Sequence, residues 1–292
     1  MNWFLLAFIS ASLSATSTIF EKKTLFKMEA LEFSFVLSVF NMLISLLFLF
    51  WIDFSQVTYA SLFILYGKTI LGALAFLCVM LAIKNMEISG ALPLMVLTPG
   101  FVALFAFLLL SESLSSVEIL GMSMLLVGTY ILESGKSKNI FDPFKVFVKS
   151  KYHNYIIFAL LLFTATSLLD KFLIRDHHMH PYTFMAFQQL FLAINFFIIM
   201  LFWKRNPVKV LIKEKRSTIG WILLISVLTI GYRFSQIEAI KLAPVALVLS
   251  VKRLSVLFAT LIGGKLFKES NLLKKLAATI ILIAGSILLL NW

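Results

Sequence analysis

Ten apolar stretches alternate with short polar links along the chain. They run at about 3–24, 31–51, 60–83, 88–110, 117–134, 153–173, 181–203, 218–240, 243–264 and 275–291. Most approach the roughly 20 residues that a helix needs to cross about 30 Å of hydrocarbon. All five tryptophans, Trp3, Trp51, Trp203, Trp221 and Trp292, fall at the ends of these stretches. An indole has an apolar body and one polar N–H, so it settles at the headgroup level, and its placement supports the boundaries.

The pattern repeats. An offset of 157 residues lays Ala82-Ile83-Lys84 on Ala239-Ile240-Lys241, Phe101 on Phe258, Glu112-Ser113 on Glu269-Ser270 and Gly128 on Gly285. A second register lays Glu21-Lys22 on Asp170-Lys171. Each half then holds five helices, and an odd number forces the second half to enter the membrane upside down. The expected fold is an all-α polytopic membrane protein of ten transmembrane helices, built as two inverted five-helix repeats. The expected division is a first repeat over 1–134, a basic linker over 135–152 and a second repeat over 153–292. The opening MNWFLLAFISASLSATS resembles a signal peptide. It lacks a positive n-region, and its removal would leave one half short of a helix, so it reads as the first span.

Composition agrees. Of 292 residues 61% are hydrophobic and 14% charged, with mean hydropathy +0.98. A soluble domain averages roughly 45–50% apolar and about 25% charged residues. Lipid must therefore be the solvent for most side chains, and a multi-pass protein of the cell (plasma or inner) membrane is expected. The single cysteine, Cys78, excludes an internal disulfide and reads as a packing residue. The formal charge of +12 would suit nucleic acid, but the cations gather in the links and there is no basic-aromatic patch, so no nucleic-acid partner is expected. Nineteen Lys and Arg residues lie in links after the odd-numbered spans, three after the even-numbered ones and four inside spans. The positive-inside rule then places both termini outside.

Two segments carry a resemblance. EISGALPLMVLTPGFVALFAFLLLSESLSSVEILGMSMLLVGTYIL and KLAPVALVLSVKRLSVLFATLIGGKLFKESNLLKKLAATIILIAGSILLL each run from a proline-bearing helix to a Glu-Ser pair and a final glycine-containing helix. With SLLDKF at 167–172, they resemble the EamA-type branch of the drug/metabolite transporter superfamily. The resemblance covers essentially the whole chain. It implies transport of a small metabolite without naming one, and it implies cytoplasmic termini, opposite to the charge count.

Four cations sit inside spans: Lys68, Arg233, Lys252 and Arg253. Each costs roughly 2.5–3.5 kcal/mol at a helix centre on insertion scales. Lys252 and Arg253, 8 and 9 residues beyond Pro244, lie about 12–14 Å along the ninth span and point about 100° apart. At least one of them can face a central cavity while the other braces a neighbour, such as Glu238, Asp170 or the carbonyl of a broken helix. Lys68 lies between Gly67 and Gly72. Arg233 reads as a substrate contact or as a salt-bridge gate with Asp170. Together these cations outnumber the acids within reach, which favours an anionic or carboxylate-bearing substrate.

Glu21-Lys22 and Asp170-Lys171, with Glu238, are gate or coupling candidates, and the plainer alternative for the first two pairs is a solvated helix end. Pro93 and Pro99 each lack a backbone donor and free a carbonyl four residues back, so they read as a cavity wall. The hydroxyl-rich first span, Ser10 to Thr18, lines the pathway or serves packing. Glu112 and Glu269 read as structural residues at a membrane edge, and Ser115 to Glu118 as a capping box. His177, His178 and His180 read as a solvated loop, with no metal or cofactor expected. No nucleophile–base set suggests an enzyme.

The reading is a secondary active transporter working by alternating access on a small organic anion or zwitterion, such as an amino acid or a carboxylate or phosphate compound. Its partners are that solute, the bilayer and a candidate coupling proton, and the chain acts as a monomer or homodimer. A proton-coupled cation or multidrug exporter and a lipid-linked-sugar flippase are the alternatives.

Overall fold

The computed structural model describes residues 2–52, 54, 57–97, 115–133, 150–213, 216–243, 248 and 251–288. Every regular element among them is helical. In chain order these are α1 (Trp3–Leu25), α2 (Ala30–Ser45, tightening to a 3-10 helix over Leu46–Trp51), α3 (Tyr59–Asn85) and α4 (Ile88–Leu94, then a 3-10 turn over Met95–Leu97). After them come α5 (Ser116–Glu133), α6 (Lys151–Lys171, widening to a π-helical turn over Phe172–Asp176) and α7 (Pro181–Phe202). The last are α8 (Pro207–Lys213), α9 (Arg216–Leu242), α10 (Leu254–Leu266) and α11 (Leu272–Leu288).

Local chemistry sets the ends. Asn2 accepts from the Phe4 N–H and Thr58 from the Ser61 N–H, capping α1 and α3. Pro181 opens α7 where a missing N–H costs nothing, and the His180 ring accepts from the Tyr182 N–H. α3 stops where Met86 turns extended. Inside the helices Ser12, Thr16, Thr18, Ser34 and Thr129 return their hydroxyls to carbonyls four residues back, which hides polar groups from lipid at little cost.

Among the described residues six helices are long and apolar enough to cross a membrane: Trp3–Leu25, Ala30–Trp51, Tyr59–Asn85, Lys151–Ile174, Pro181–Phe202 and Ser217–Leu242. Shorter apolar helices cover Ile88–Leu97, Ile119–Leu132 and Leu254–Leu266. The structure departs from the sequence reading in two spans. The ninth is not one unbroken helix: Val251 and Lys252 are helical, Arg253 is a turn residue at the N-cap of α10 without a side-chain cap bond, and helix resumes at Leu254. Among the described residues of the fourth, α-helix runs over Ile88–Leu94 and a 3-10 turn over Met95–Leu97, just after Pro93. Residues 98–114 lie outside the described residues, so Pro99 and Glu112 do too. The basic link after α7 contains α8, opened by Pro207.

The long helices pair across the two halves. α1 packs along α9, α3 along α6, α2 along α7, α4 along α10 and α5 along α11. Matching α1–α5 in order with α6, α7, α9, α10 and α11 exchanges the first two pairs and returns each of the other three to itself, as a pseudo-two-fold relation requires. At α5–α11 the backbones nearly touch. A Cβ on Gly285 would lie 2.8 Å from the Gly121 oxygen and 2.9 Å from Met124 Cβ. Small residues at a crossing are how membrane helices gain packing energy where lipid offers no hydrophobic drive.

Candidate functional site

The two helix breaks meet. Arg253, at the break before α10, donates from Nη1 to the Met95 carbonyl at 3.3 Å. Met95 is the residue whose i+4 partner is Pro99, which has no N–H in any conformation. The guanidinium thus reaches a carbonyl in the 3-10 turn that follows α4, a contact that ties the start of α10 to the fourth span.

Beside it lies a polar network inside otherwise apolar packing. Asp170, at the end of α6, is buried and holds two cations: Lys68 Nζ of α3 at 2.7 Å from Oδ1 and Arg233 Nη2 of α9 at 2.8 Å from Oδ2. The Gln188 Oε1 of α7 accepts from both, at 2.6 Å from Lys68 and 3.1 Å from Arg233. One carboxylate and one amide oxygen thus close a ring with two cations. The Phe184 ring adds a cation–π face, 4.8 Å from Lys68 Nζ and 5.9 Å from the Arg233 guanidinium carbon.

Lys252 stands apart from that ring. Its ammonium donates to Gln236 Oε1, which Arg233 Nη1 also approaches at 3.4 Å, and it sits 5.1 Å from the centre of the Tyr232 ring. Among the described residues no carboxylate forms an ion pair with it. The backbone carbonyl of Tyr232 is held by the Ser10 hydroxyl of α1 at 2.8 Å.

The remaining candidates separate. Glu21 is buried in α1, and its Oε1 accepts from Ser17 at 3.0 Å, whose hydroxyl lies 3.3 Å from that of Thr229. Among the described residues no cation forms an ion pair with Glu21. Lys22 is buried beside it but turns away, donating to the carbonyls of Ile83 and Met86 at the end of α3. Neither residue is the solvated helix end considered from sequence. Lys171 closes α6; its side chain lies outside the description. Glu238 is half-buried, and Lys252 bonds Gln236 rather than Glu238, because residue 236 and not 238 shares the face of α9 with Arg233. Pro93 is buried at the end of α4. The imidazole of His180 caps α7, and among the described residues no group of three His, Cys, Asp or Glu side chains is placed to hold a metal ion.

Several participants escaped the sequence reading: Gln188, Gln236 as an acceptor, Phe184 and Tyr232. The available signal was a glutamine inside an apolar run, as in MAFQQLF, where an amide is retained only if it finds partners.

The two matched halves also have relatives. A family model described as the EamA-like transporter family matches residues 1–134 and again 151–291. The chain belongs to the EamA-like transporter family. It is accordingly a multi-pass membrane transporter of the drug/metabolite transporter superfamily. A solved structure titled only as a crystal structure of a protein resembles it with a TM-score of 0.64 over 98% of this chain and 95% of that one, at 13% identity. That likeness concerns the fold alone. No curated protein matches the chain.

Proposed function

We propose that this EamA-family chain moves a small organic anion or zwitterion by alternating access, with Lys252 as its electrostatic anchor. The observation that carries the reading is the sorting of the intramembrane cations. Lys68 and Arg233 share Asp170, Arg253 reaches the Met95 carbonyl, and among the described residues Lys252 meets a neutral amide and an aromatic face but no carboxylate in an ion pair. Three ammonium or guanidinium groups around a single carboxylate leave a local surplus of positive charge. Such a surplus deep in a membrane is costly unless function uses it. A substrate carboxylate or phosphate at Lys252 supplies the missing charge. In a zwitterion such as an amino acid, the ammonium would turn to Glu21, the buried carboxylate without an ion pair among the described residues.

The ten-helix plan of two inverted repeats, divided at 1–134, 135–152 and 153–292, completes the reading. Its support is the self-consistent pairing across the halves and the two repeat-equivalent helix breaks: the 157-residue offset lays Met95 on Lys252. By the charge count the lysine-rich links face the cytoplasm of a cell membrane. Glu21 is also the coupling-proton candidate of the rival cation-exporter reading. The test is thermal stabilisation of the purified protein by panels of anionic, zwitterionic and cationic metabolites, since a ligand that binds only the folded state raises its transition by mass action. Stabilisation by anions or amino acids that Lys252→Ala abolishes supports the reading. Stabilisation only by lipophilic cations, equal in both proteins, replaces it with the exporter.

A further inference from the structure

At the end of the molecule where α1 and α3 finish, α4 begins and α10 passes into α11, the two halves exchange carboxylates. Glu269, between α10 and α11, accepts from the first two N–H groups of α4, Ile88 at 2.7 Å and Ser89 at 2.8 Å, and from the Ser89 hydroxyl. Glu87, immediately before α4, accepts from the Ser270 N–H and hydroxyl, each at 3.2 Å, and from the Lys275 ammonium. Each half thus caps backbone donors of the other. The sequence reading assigned Glu269 a structural part at the edge of its own half; the structure turns it onto the opposite half.

Lys22 completes the group. It ties the end of α1 to the end of α3 and interacts electrostatically with both Glu269 and Glu87. The turn that aims Glu269 is stiff. Lys268 and Asn271 on either side of Glu269-Ser270 take left-handed backbone, at φ 54° and 50°, and the Glu269 N–H is fixed to the Gly264 carbonyl at 2.9 Å. Below it the helices are close: a Cβ on Gly263 would lie 3.4 Å from Ile88 Cδ1 and 3.5 Å from Ile19 Cγ1.

We propose that Glu269 and Glu87, with Lys22 and Lys275, are the gate residues that hold the lysine-rich end of the transporter shut, and that their release opens this end. The inference rests on the alternating-access reading. Rocking one half against the other must part α4 from α10, and these bonds are what joins their ends. Glu87 and Ser270 are exposed at the end of the helices, and Glu269 is half-exposed. The separated carboxylates and N–H groups therefore rehydrate instead of stranding charge in lipid, which suits them to a contact made and broken in every cycle. The Asp170 ring is buried and lacks that property.

The test reads sidedness, which loss of stability alone does not move. In a Cys78→Ser background, Thr260→Cys on α10 reports on the buried space below the gate, and Leu65→Cys on α3 reports on the other end; both positions are fully buried. A membrane-impermeant maleimide is applied in turn to each face of reconstituted vesicles. Glu269→Ala is expected to raise labelling of Thr260→Cys from the lysine-rich face about tenfold, a population shift toward the open end, without raising labelling of Leu65→Cys from the other face. Lys275→Ala, a milder change that leaves the Glu269 cap in place, is expected to move it the same way by less. Unchanged labelling of Thr260→Cys in both variants overturns the gate, and so does a parallel rise at both reporters, which is general loosening. The metabolite panel on the unmodified gate is independent. A failed gate leaves the Lys252 site standing, and a failed panel leaves the labelling result intact.

Discussion

Arg253 reaches from the break before α10 to the Met95 carbonyl in the break after α4, 3.3 Å away. The two breaks occupy equivalent places in the repeat, and a guanidinium spans them. Arg253→Leu removes the donor and leaves that carbonyl without its guanidinium bond, a loss of about 1–3 kcal/mol. It is expected to lower the thermal transition while anions still stabilise the protein. Loss of anion stabilisation with an unchanged transition would instead make Arg253 a substrate contact.

Asp170 holds Lys68 and Arg233 together. Asp170→Ala leaves buried Lys68 and half-buried Arg233 without their carboxylate and is expected to cost about 3–5 kcal/mol. The double variant Asp170→Leu/Lys68→Met removes one of those charges as well and is expected to be more stable than Asp170→Ala. Unfolding of the two variants in the same detergent decides it; equal losses would show that the ion pair does not couple them.

Gln236 gives Lys252 its amide acceptor. Gln236→Glu would supply the carboxylate that the proposed substrate brings. It is expected to weaken anion binding by about tenfold or more, equivalent to about 1.4 kcal/mol, while the fold is kept. Undiminished anion stabilisation of Gln236→Glu would remove Lys252 from the site.

Glu87 lies outside the spans. Burial pushes its carboxyl up, but the Lys275 ammonium and the Ser270 N–H and hydroxyl outweigh this and hold it below its ordinary value of 4.5. A carboxyl depressed in the folded state contributes stability that is fully present above its unfolded value and is lost as pH falls through the folded one. The gate should therefore loosen as acidification goes below that ordinary value of 4.5. Thr260→Cys labelling at the lysine-rich face should rise there, and Lys275→Ala should move the rise to higher pH. Lys22 and Glu269 face the same group. Glu87→Gln separates them: it should remove the part of the pH response that belongs to Glu87, and an unaltered response would assign it elsewhere.

Gly285 faces Gly121 and Met124 across α5–α11. Gly285→Ala forces the crossing apart and is expected to cost about 1–3 kcal/mol. At Gly220 a Cβ meets nothing within 4 Å, so Gly220→Ala is expected to be neutral or to stabilise by up to about 1 kcal/mol. Comparing their thermal transitions tests the crossing; equal effects would mean that α5 and α11 are not in contact.

Much of this organisation is written in one dimension. A cation in an apolar run stands out because lipid penalises it, so Lys68, Arg233, Lys252 and Arg253 are legible before any fold is known. Their partners are not. Gln188 is a neutral amide in a run that still reads as membrane-spanning, and its two cations come from helices distant in sequence. The same holds for Glu87 and Glu269: each looks like an ordinary helix end, and only the meeting of α4 with α10 makes them reciprocal caps. The break at Arg253 was hidden for another reason. Its neighbours, LSVLFATL, are as apolar as any unbroken span, so periodicity held no sign of it.

The pairing of the long helices across the halves has a consequence for how the protein is made. Lys68 enters the bilayer while Asp170 and Gln188, its partners, are still untranslated. The first half must therefore wait in the membrane with an ammonium group shielded by water, lipid headgroups or the insertion machinery. Arrival of α6 and α7 supplies the carboxylate and the amide that receive that charge, so the late half completes a bond that the early half leaves open.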